Sequence, residues 1–301
     1  MLSPTEAYEA ALDGGVAVQR APGVRLVRLT GPQRVWFLQN TITADVEGVP
    51  DGRWVESCFL DPKGRVVAHF RAGFGGDEVW IDADPASGAQ LAEWFLRYRF
   101  RTKVEVEAVE RPCVAILGGA AAEIVADGSV AVLADGAVAF GRVLAGVPVA
   151  DVHGANPDPA LPRGPAELYD VLRVEAGVGE FGIDFGSTDL PQEAGLTRTL
   201  SVDKGCYVGQ ETIARIHFRG HVNRVLRTLA FSDVMSDAAG RKLFWDGRPV
   251  GSVTSAVTSP RAGAIGLGMV RVEPPEGASL KVEGGAQVTV GPIPEGTKVK
   301  P

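Results

Sequence analysis

The chain has only three cysteines in 301 residues, Cys58, Cys113 and Cys206, and no Cys-x-x-Cys pair. Cysteines this few, odd in number and widely spaced argue against a disulfide framework. They also leave no full iron–sulfur or zinc ligand set within one chain, so no metal site is expected. No apolar run approaches the roughly 18 residues of a membrane-spanning helix, and no membrane association is expected. No Gly-x-Gly-x-x-Gly opens a helix after a strand and no phosphate-binding P-loop occurs, which disfavours a nucleotide-binding fold. Positive charge is the minority, with 30 Lys and Arg against 37 Asp and Glu and a net charge of −7. The surface as a whole does not attract nucleic acid, so stable nucleic-acid binding is not expected. The N-terminus lacks the basic and apolar regions of a signal peptide, and the expected location is cytoplasmic.

Hydrophobic residues make up 45% and charged residues 22%, enough apolar material for a sizeable core in about two domains. Ser3-Pro4-Thr5-Glu6 reads as a capped helix start that stops near Gly14-Gly15. Val24 to Leu29 reads as a strand. Gly31-Pro32 then opens a helix through Val35, Trp36, Leu38 and Gln39, with a bend at Asn40-Thr41. Trp54 to Leu60 and Arg65 to Gly73 read as strands joined by the turn Asp61-Pro62-Lys63-Gly64, and Val79 to Asp82 continues the meander. Asp84-Pro85 is expected to cap a helix whose Leu91, Trp94, Phe95 and Tyr98 fall at core spacing. Val104, Val106 and Ala108 alternate with charge as a half-buried strand. Short strands follow at Val114 to Leu117, Val130 to Leu133 and Val138 to Val143. The span 153–165 is a proline-rich loop, and Pro165 starts a helix closed near Gly177. Gly179 to Thr199 is irregular and long enough to be functional. From Val225 short strands separated by Gly and Pro suggest a small antiparallel barrel.

Ser201 to Thr212 concentrates the chemistry. Lys204, Cys206, Gln210 and Glu211 lie among Gly205 and Gly209, which allow close approach of a ligand or another backbone. If the run is extended, Lys204 and Cys206 share a face, and an ammonium beside a thiol favours thiolate. Arg215, His217, Arg219 and His221 then recur with period two. As a strand they form one basic face, either a solvated face or a seat for an anion such as a ligand carboxylate or an RNA phosphate.

Lys204-Gly205-Cys206-Tyr207-x-Gly209-Gln210-Glu211 resembles the signature of the YgfZ family, folate-binding relatives of the glycine cleavage T-protein. Segments along most of the chain resemble that family in order: Leu38 to Asp45, Leu60 to Arg65, Leu172 to Gly177, Leu190 to Leu196, and Gly251 to Ser255 with Ser259-Pro260. The resemblance implies an α+β fold, a ring of modules around a central folate hole closed by a C-terminal antiparallel barrel. The folate-binding region is expected over 1–222, with a meander–helix–strand module at about 48–111, and the barrel over 223–301. The implied ligand is tetrahydrofolate or a derivative, and the implied role is in iron–sulfur cluster assembly, maintenance or repair, with iron–sulfur enzymes, including tRNA-modifying ones, or cluster-assembly proteins as partners. Glu193 is implied to accept hydrogen bonds from the pterin. Gln39, Thr43, Asp45, Tyr207, Gly209, Gln210, Glu211 and Arg215 are implied around the folate, with Cys206 and Lys204 as the active pair.

One departure from the T-protein pattern matters. That family carries a carboxylate beside the reactive folate nitrogens on the strand after the hairpin glycine. Here the strand reads Arg65-Val66-Val67-Ala68-His69-Phe70, with no carboxylate. A single histidine such as His69 reads as a packed or solvent-facing side chain. Aminomethyl transfer is therefore disfavoured, although a one-carbon transferase and a non-catalytic folate-binding scaffold stay open as alternatives.

Overall fold

The computed structural model describes residues 1–23, 25–154, 158–234 and 237–299. Val24 of the first expected strand, and 155–157 within the proline-rich loop, lie outside them.

The meander forms a five-stranded antiparallel sheet in the order Trp54–Leu60, Val66–Gly75, Glu78–Ala83, Leu26–Thr30, Glu105–Val109. Its hairpin closes as the turn residues require, with the Gly64 N–H donating to Asp61 O at 2.9 Å. One face carries Phe59, Phe70, Ala72 and Ile81 against Phe37, Leu91 and Phe95 of the helices Arg34–Gln39 and Gly88–Tyr98. Phe37 and Phe95 meet edge-on with centroids 5.5 Å apart, a favourable aromatic geometry. Strand alternation sends Glu56, His69, Arg71 and Asp82 to the other face.

A second, six-stranded sheet runs Arg163–Gly164, Val16–Gln19, Cys113–Leu117, Val147–His153, Val138–Leu144, Val130–Val132. The helices Pro4–Asp13 and Glu167–Glu175 pack on it through Tyr8, Ala11, Leu168 and Leu172. The first helix has the full capping box: Ser3 N–H donates to Glu6 Oε2 at 2.8 Å, and Glu6 N–H donates to Ser3 Oγ. The two sheets join where Arg53 and Ser129 form an isolated bridge.

The last six strands close into an antiparallel barrel, with Arg224–Phe231 pairing both Gly263–Arg271 and Gln287–Val290. Leu229, Leu243, Val253, Val270 and Leu280 fill it. Outside it, Leu226, Leu267 and Met269 pack on Val174, Phe181, Tyr207 and Ile213, fastening the barrel to the rest of the chain. The fold class is the α+β, barrel-closed architecture expected.

Three local expectations are corrected. The residues from Gln210 to Arg219 form a helix, not a basic strand. Ile213 is buried and Ile216 half-buried, an i, i+3 apolar pair that a helix places on one face. Arg215 and Arg219 therefore share an exposed face at i, i+4, while His217 does not join them. Asp84 does not cap the next helix, which starts at Gly88 after Ser87 with no side-chain cap. Residues 201–209 form bends and a turn, so Lys204 and Cys206 do not alternate along a strand.

Candidate functional site

The charged face of the five-stranded sheet closes over a cavity of about 230 Å³. Glu56, His69, Arg71 and Asp82 come from that sheet, Arg142 from the six-stranded one, and Tyr169 and Arg173 from the helix Glu167–Glu175. The loop 178–180 adds Glu180. Charges buried at this density persist only when paired. Arg71 donates to both Asp82 and Asp151, the latter at 2.6 Å. His153 Nε2 lies 3.0 Å from Asp82 Oδ1. Burial alone would push the Asp82 carboxyl up, but Arg71, His153 and Arg25 hold it well below the usual range.

His69 sits between two carboxylates. Its Nε2 is 2.8 Å from Glu56 Oε1 and its Nδ1 3.2 Å from Asp84 Oδ2. Burial pushes the imidazole down, yet the hydrogen bonds to Asp84 and Glu56 outweigh it and raise the pKa to about 9. His69 is thus an imidazolium at neutral pH, donating from both nitrogens. Burial likewise opposes ionisation of Glu56, but His69 and Arg198 hold it down at about 2. Arg198 grips Glu56 as a fork, Nε at 2.6 Å and Nη2 at 3.0 Å. Asp84, freed from capping, accepts from the Phe181 N–H at 2.9 Å and so ties the irregular loop to the cavity.

His69 is therefore no incidental strand histidine. The strand after Gly64 has no carboxylate, but its neighbour supplies one: Cys58 pairs with His69, and Glu56 lies two residues away on the same face. The register set by the Asp61–Gly64 turn was the available signal. The arginines from the six-stranded sheet and the Glu167–Glu175 helix had none, because long-range packing alone gathers them. The imidazolium clamped between two carboxylates is a fixed ion pair, and the surrounding guanidinium groups can hold an anion.

Beyond Trp54, Glu56 and Arg198 the cavity continues into an outer depression of about 520 Å³ lined by Asp45, Ser201, Val202 and Asp203. Of the candidate residues read from the sequence, only Asp45 lines either space. Gln39 Nε2 donates to Asp45 Oδ1 at 2.9 Å, and Gln39 Oε1 accepts from Val46 N–H. Thr43 Oγ1 donates to Thr199 O at 2.8 Å and accepts from Cys58 N–H at 2.9 Å. These two residues hold the segment that presents Asp45.

Lys204 and Cys206 part company. Lys204 is buried, and its Nζ donates to Ile42 O at 2.7 Å and Ala44 O at 2.5 Å, 5.1 Å from the centroid of the buried Tyr207 ring. Cys206 is exposed. The lysine fixes the segment before Asp45, and its ammonium is committed to carbonyls rather than to the thiol. Gln210 Nε2 reaches Lys204 O at 3.5 Å, while Glu211 and Arg215 face solvent. Gly209 starts the helix at φ +80°. Glu193 accepts from the Leu190 N–H at 3.0 Å and from Arg224 Nε at 3.3 Å. Among the described residues no group of three or more His, Cys, Asp and Glu side chains is arranged to hold a metal ion.

Residues 224–293 match the glycine cleavage T-protein C-terminal barrel domain. The tRNA-modifying protein YgfZ of Yersinia enterocolitica is 28% identical over 277 residues, covering 77% of this chain and 78% of that protein. A putative chloroplastic transferase of Arabidopsis thaliana is 25% identical over 311 residues, covering 93% of this chain and 69% of its own. The crystal structure of the glycine cleavage system aminomethyltransferase T from Bartonella henselae superposes with a TM-score of 0.87 at 18% identity, over 99% of this chain and 91% of that one. The chain is a homologue of the YgfZ proteins, built on the aminomethyltransferase T fold with the T-protein C-terminal barrel.

Proposed function

We propose that this protein binds tetrahydrofolate or a derivative in the central cavity and acts, through the exposed Cys206, in the assembly, maintenance or repair of iron–sulfur clusters. The clients are iron–sulfur enzymes, and the tRNA-modifying label of the YgfZ homologues supports enzymes of tRNA modification among them. In this reading 1–222 form the folate-binding region, and the barrel over 223–301 closes it.

The observation that carries the folate reading is His69 clamped by Glu56 and Asp84 inside a cavity that opens outward past Trp54 and Arg198. A pterin presents a flat edge of N–H and NH₂ donors, which carboxylates accept with planar fit. The anionic tail of a folate suits the arginine-rich wall of the cavity. Glu193, by its place in the motif, anchors the pterin. A carboxylate has acceptor sites beyond the two bonds to Leu190 and Arg224. When bound, a reduced folate would supply a one-carbon carrier; this chain would supply orientation, charge and the thiol.

The cysteine is tested in a host lacking its own homologue. Cys206→Ser is expected to fail to restore iron–sulfur enzyme activity, while Cys58→Ser, at a buried strand position, restores it. Full rescue by Cys206→Ser would leave a folate-binding scaffold instead. One-carbon transfer is the second reading, favoured by the transferase name of the Arabidopsis relative.

A further inference from the structure

The loop 178–180 brings Glu180 into the cavity wall, where its side chain is 13% exposed. The loop is held from behind. The Glu180 N–H donates to Asp184 Oδ2 at 3.0 Å, and the Phe181 N–H to Asp84 Oδ2 at 2.9 Å. One carboxylate oxygen, Oε2, lies 3.4 Å from Arg20 Nη2 and 3.8 Å from Arg173 Nε. Both arginines are engaged elsewhere. Arg173 donates through Nε to Asp170 at 2.7 Å, through Nη1 to Asp184 at 2.6 Å and through Nη2 to Ser255 at 3.0 Å. The Arg20 guanidinium carbon lies 3.2 Å from the centroid of the Tyr169 ring. The other oxygen, Glu180 Oε1, has no partner among the described residues and is not sealed into the wall.

The remaining buried carboxyls around the cavity are committed. Glu56 is bonded to His69 and Arg198, Asp82 to Arg71 and His153, and Asp84 to His69 and the Phe181 N–H. Burial opposes their ionisation, yet these partners hold all three low. Glu180 goes the other way: burial, and then the charge of Asp84, push its carboxyl up against the pull of Arg20, Arg173 and Arg25. Neighbouring carboxyls whose surroundings drive them apart leave one ionised and one able to hold a proton.

We propose that Glu180 is the ligand-facing proton-exchange residue of the cavity: its open Oε1 meets an N–H group of a bound nitrogen heterocycle, and the carboxyl releases its proton as that contact forms. The inference rests on the folate reading for the identity of that ligand, a reduced pterin. The carboxyl O–H bond breaks and its proton passes to the buffer, while the ligand keeps its own N–H and donates it to the carboxylate.

Calorimetry of tetrahydrofolate binding to the full chain, in buffers of low and high ionisation enthalpy from about pH 5 to about pH 8, counts the protons released. Wild type is expected to release a fraction of a proton, with an affinity that rises with pH and levels off once Glu180 is ionised in the free protein. Glu180→Gln keeps the size of the side chain, and thermal melts check its fold. It is expected to lose both that release and the pH dependence, and to bind about tenfold more weakly at the upper end, where an amide oxygen replaces a carboxylate. A side chain that only shaped the loop would lower affinity equally at every pH. Equal proton release by the two proteins, or an equal loss of affinity at every pH, overturns the assignment and leaves the folate reading standing. No proton release by wild type across the range does the same, whether or not the variant folds. A wild type that binds no tetrahydrofolate removes the folate reading and this inference with it.

Discussion

Lys204 and His69 are both buried cations, and burial pushes both towards neutrality. Lys204 meets neutral carbonyls, with Asp45 and Glu47 only at a distance, and falls to about 8. His69 meets two carboxylates and rises to about 9. The opposite outcomes show that the partners, not the burial, set the charge state. A consequence can be measured. The folded pKa of His69 lies above its ordinary value of 6.5, so the folded state binds the extra proton. That stabilisation is fully present below pH 6.5 and is lost as pH rises through about 9. His153, raised to about 10 beside Cys113 and Asp82 although burial opposes it, acts in the same direction. Urea unfolding across this window should therefore show wild type losing stability, and His69→Gln losing distinctly less. An identical slope for the two proteins would mean that His69 is not held as an imidazolium.

The helix Gln210–Arg219 is joined to the hairpin through two glycines. Gly209 has φ +80°, and a Cβ there would lie 2.6 Å from Asp61 O and 3.0 Å from Gly64 Cα. Gly64 in turn packs on Thr212. Gly209→Ala forces backbone against backbone and a left-handed conformation, and should cost about 1–3 kcal/mol of stability. Gly205 has open space where its Cβ would stand, so Gly205→Ala should be close to neutral. Equal melting temperatures for the two variants would contradict this packing. The sequence announced the glycines but not their use. Period-two basic residues suggested a strand, whereas the apolar pair Ile213 and Ile216 decided for a helix. The strand Val147–His153 escaped notice because Pro148 interrupts its apolar run, although proline is tolerated near a strand start. Elements with strong local periodicity, the meander and the aromatic helix, were legible. So was the barrel, through its repeated turns. The cavity was legible only in part, since its charges come from two sheets and a helix that no local pattern links.

At the scale of the whole molecule the aminomethyltransferase T fold is kept while the carboxylate expected on the strand after the hairpin glycine is missing. No carboxylate follows Gly64 on the strand up to Phe70, and the acidic group near His69 comes from Glu56 and is locked by Arg198. A carboxylate held at about 2 is a poor base at neutral pH. The protein should therefore give no methylene-tetrahydrofolate in a reconstituted glycine cleavage assay, and robust formation would return the one-carbon transferase to first place. The central claim remains folate binding, and isothermal titration of tetrahydrofolate into wild type and Glu193→Ala tests it most directly. Wild type is expected to bind saturably and one to one, and the variant to be weaker by about 1–3 kcal/mol through the pterin donors left unpaired. No saturable binding by wild type would contradict the claim, and unchanged affinity in Glu193→Ala would remove Glu193 from the site.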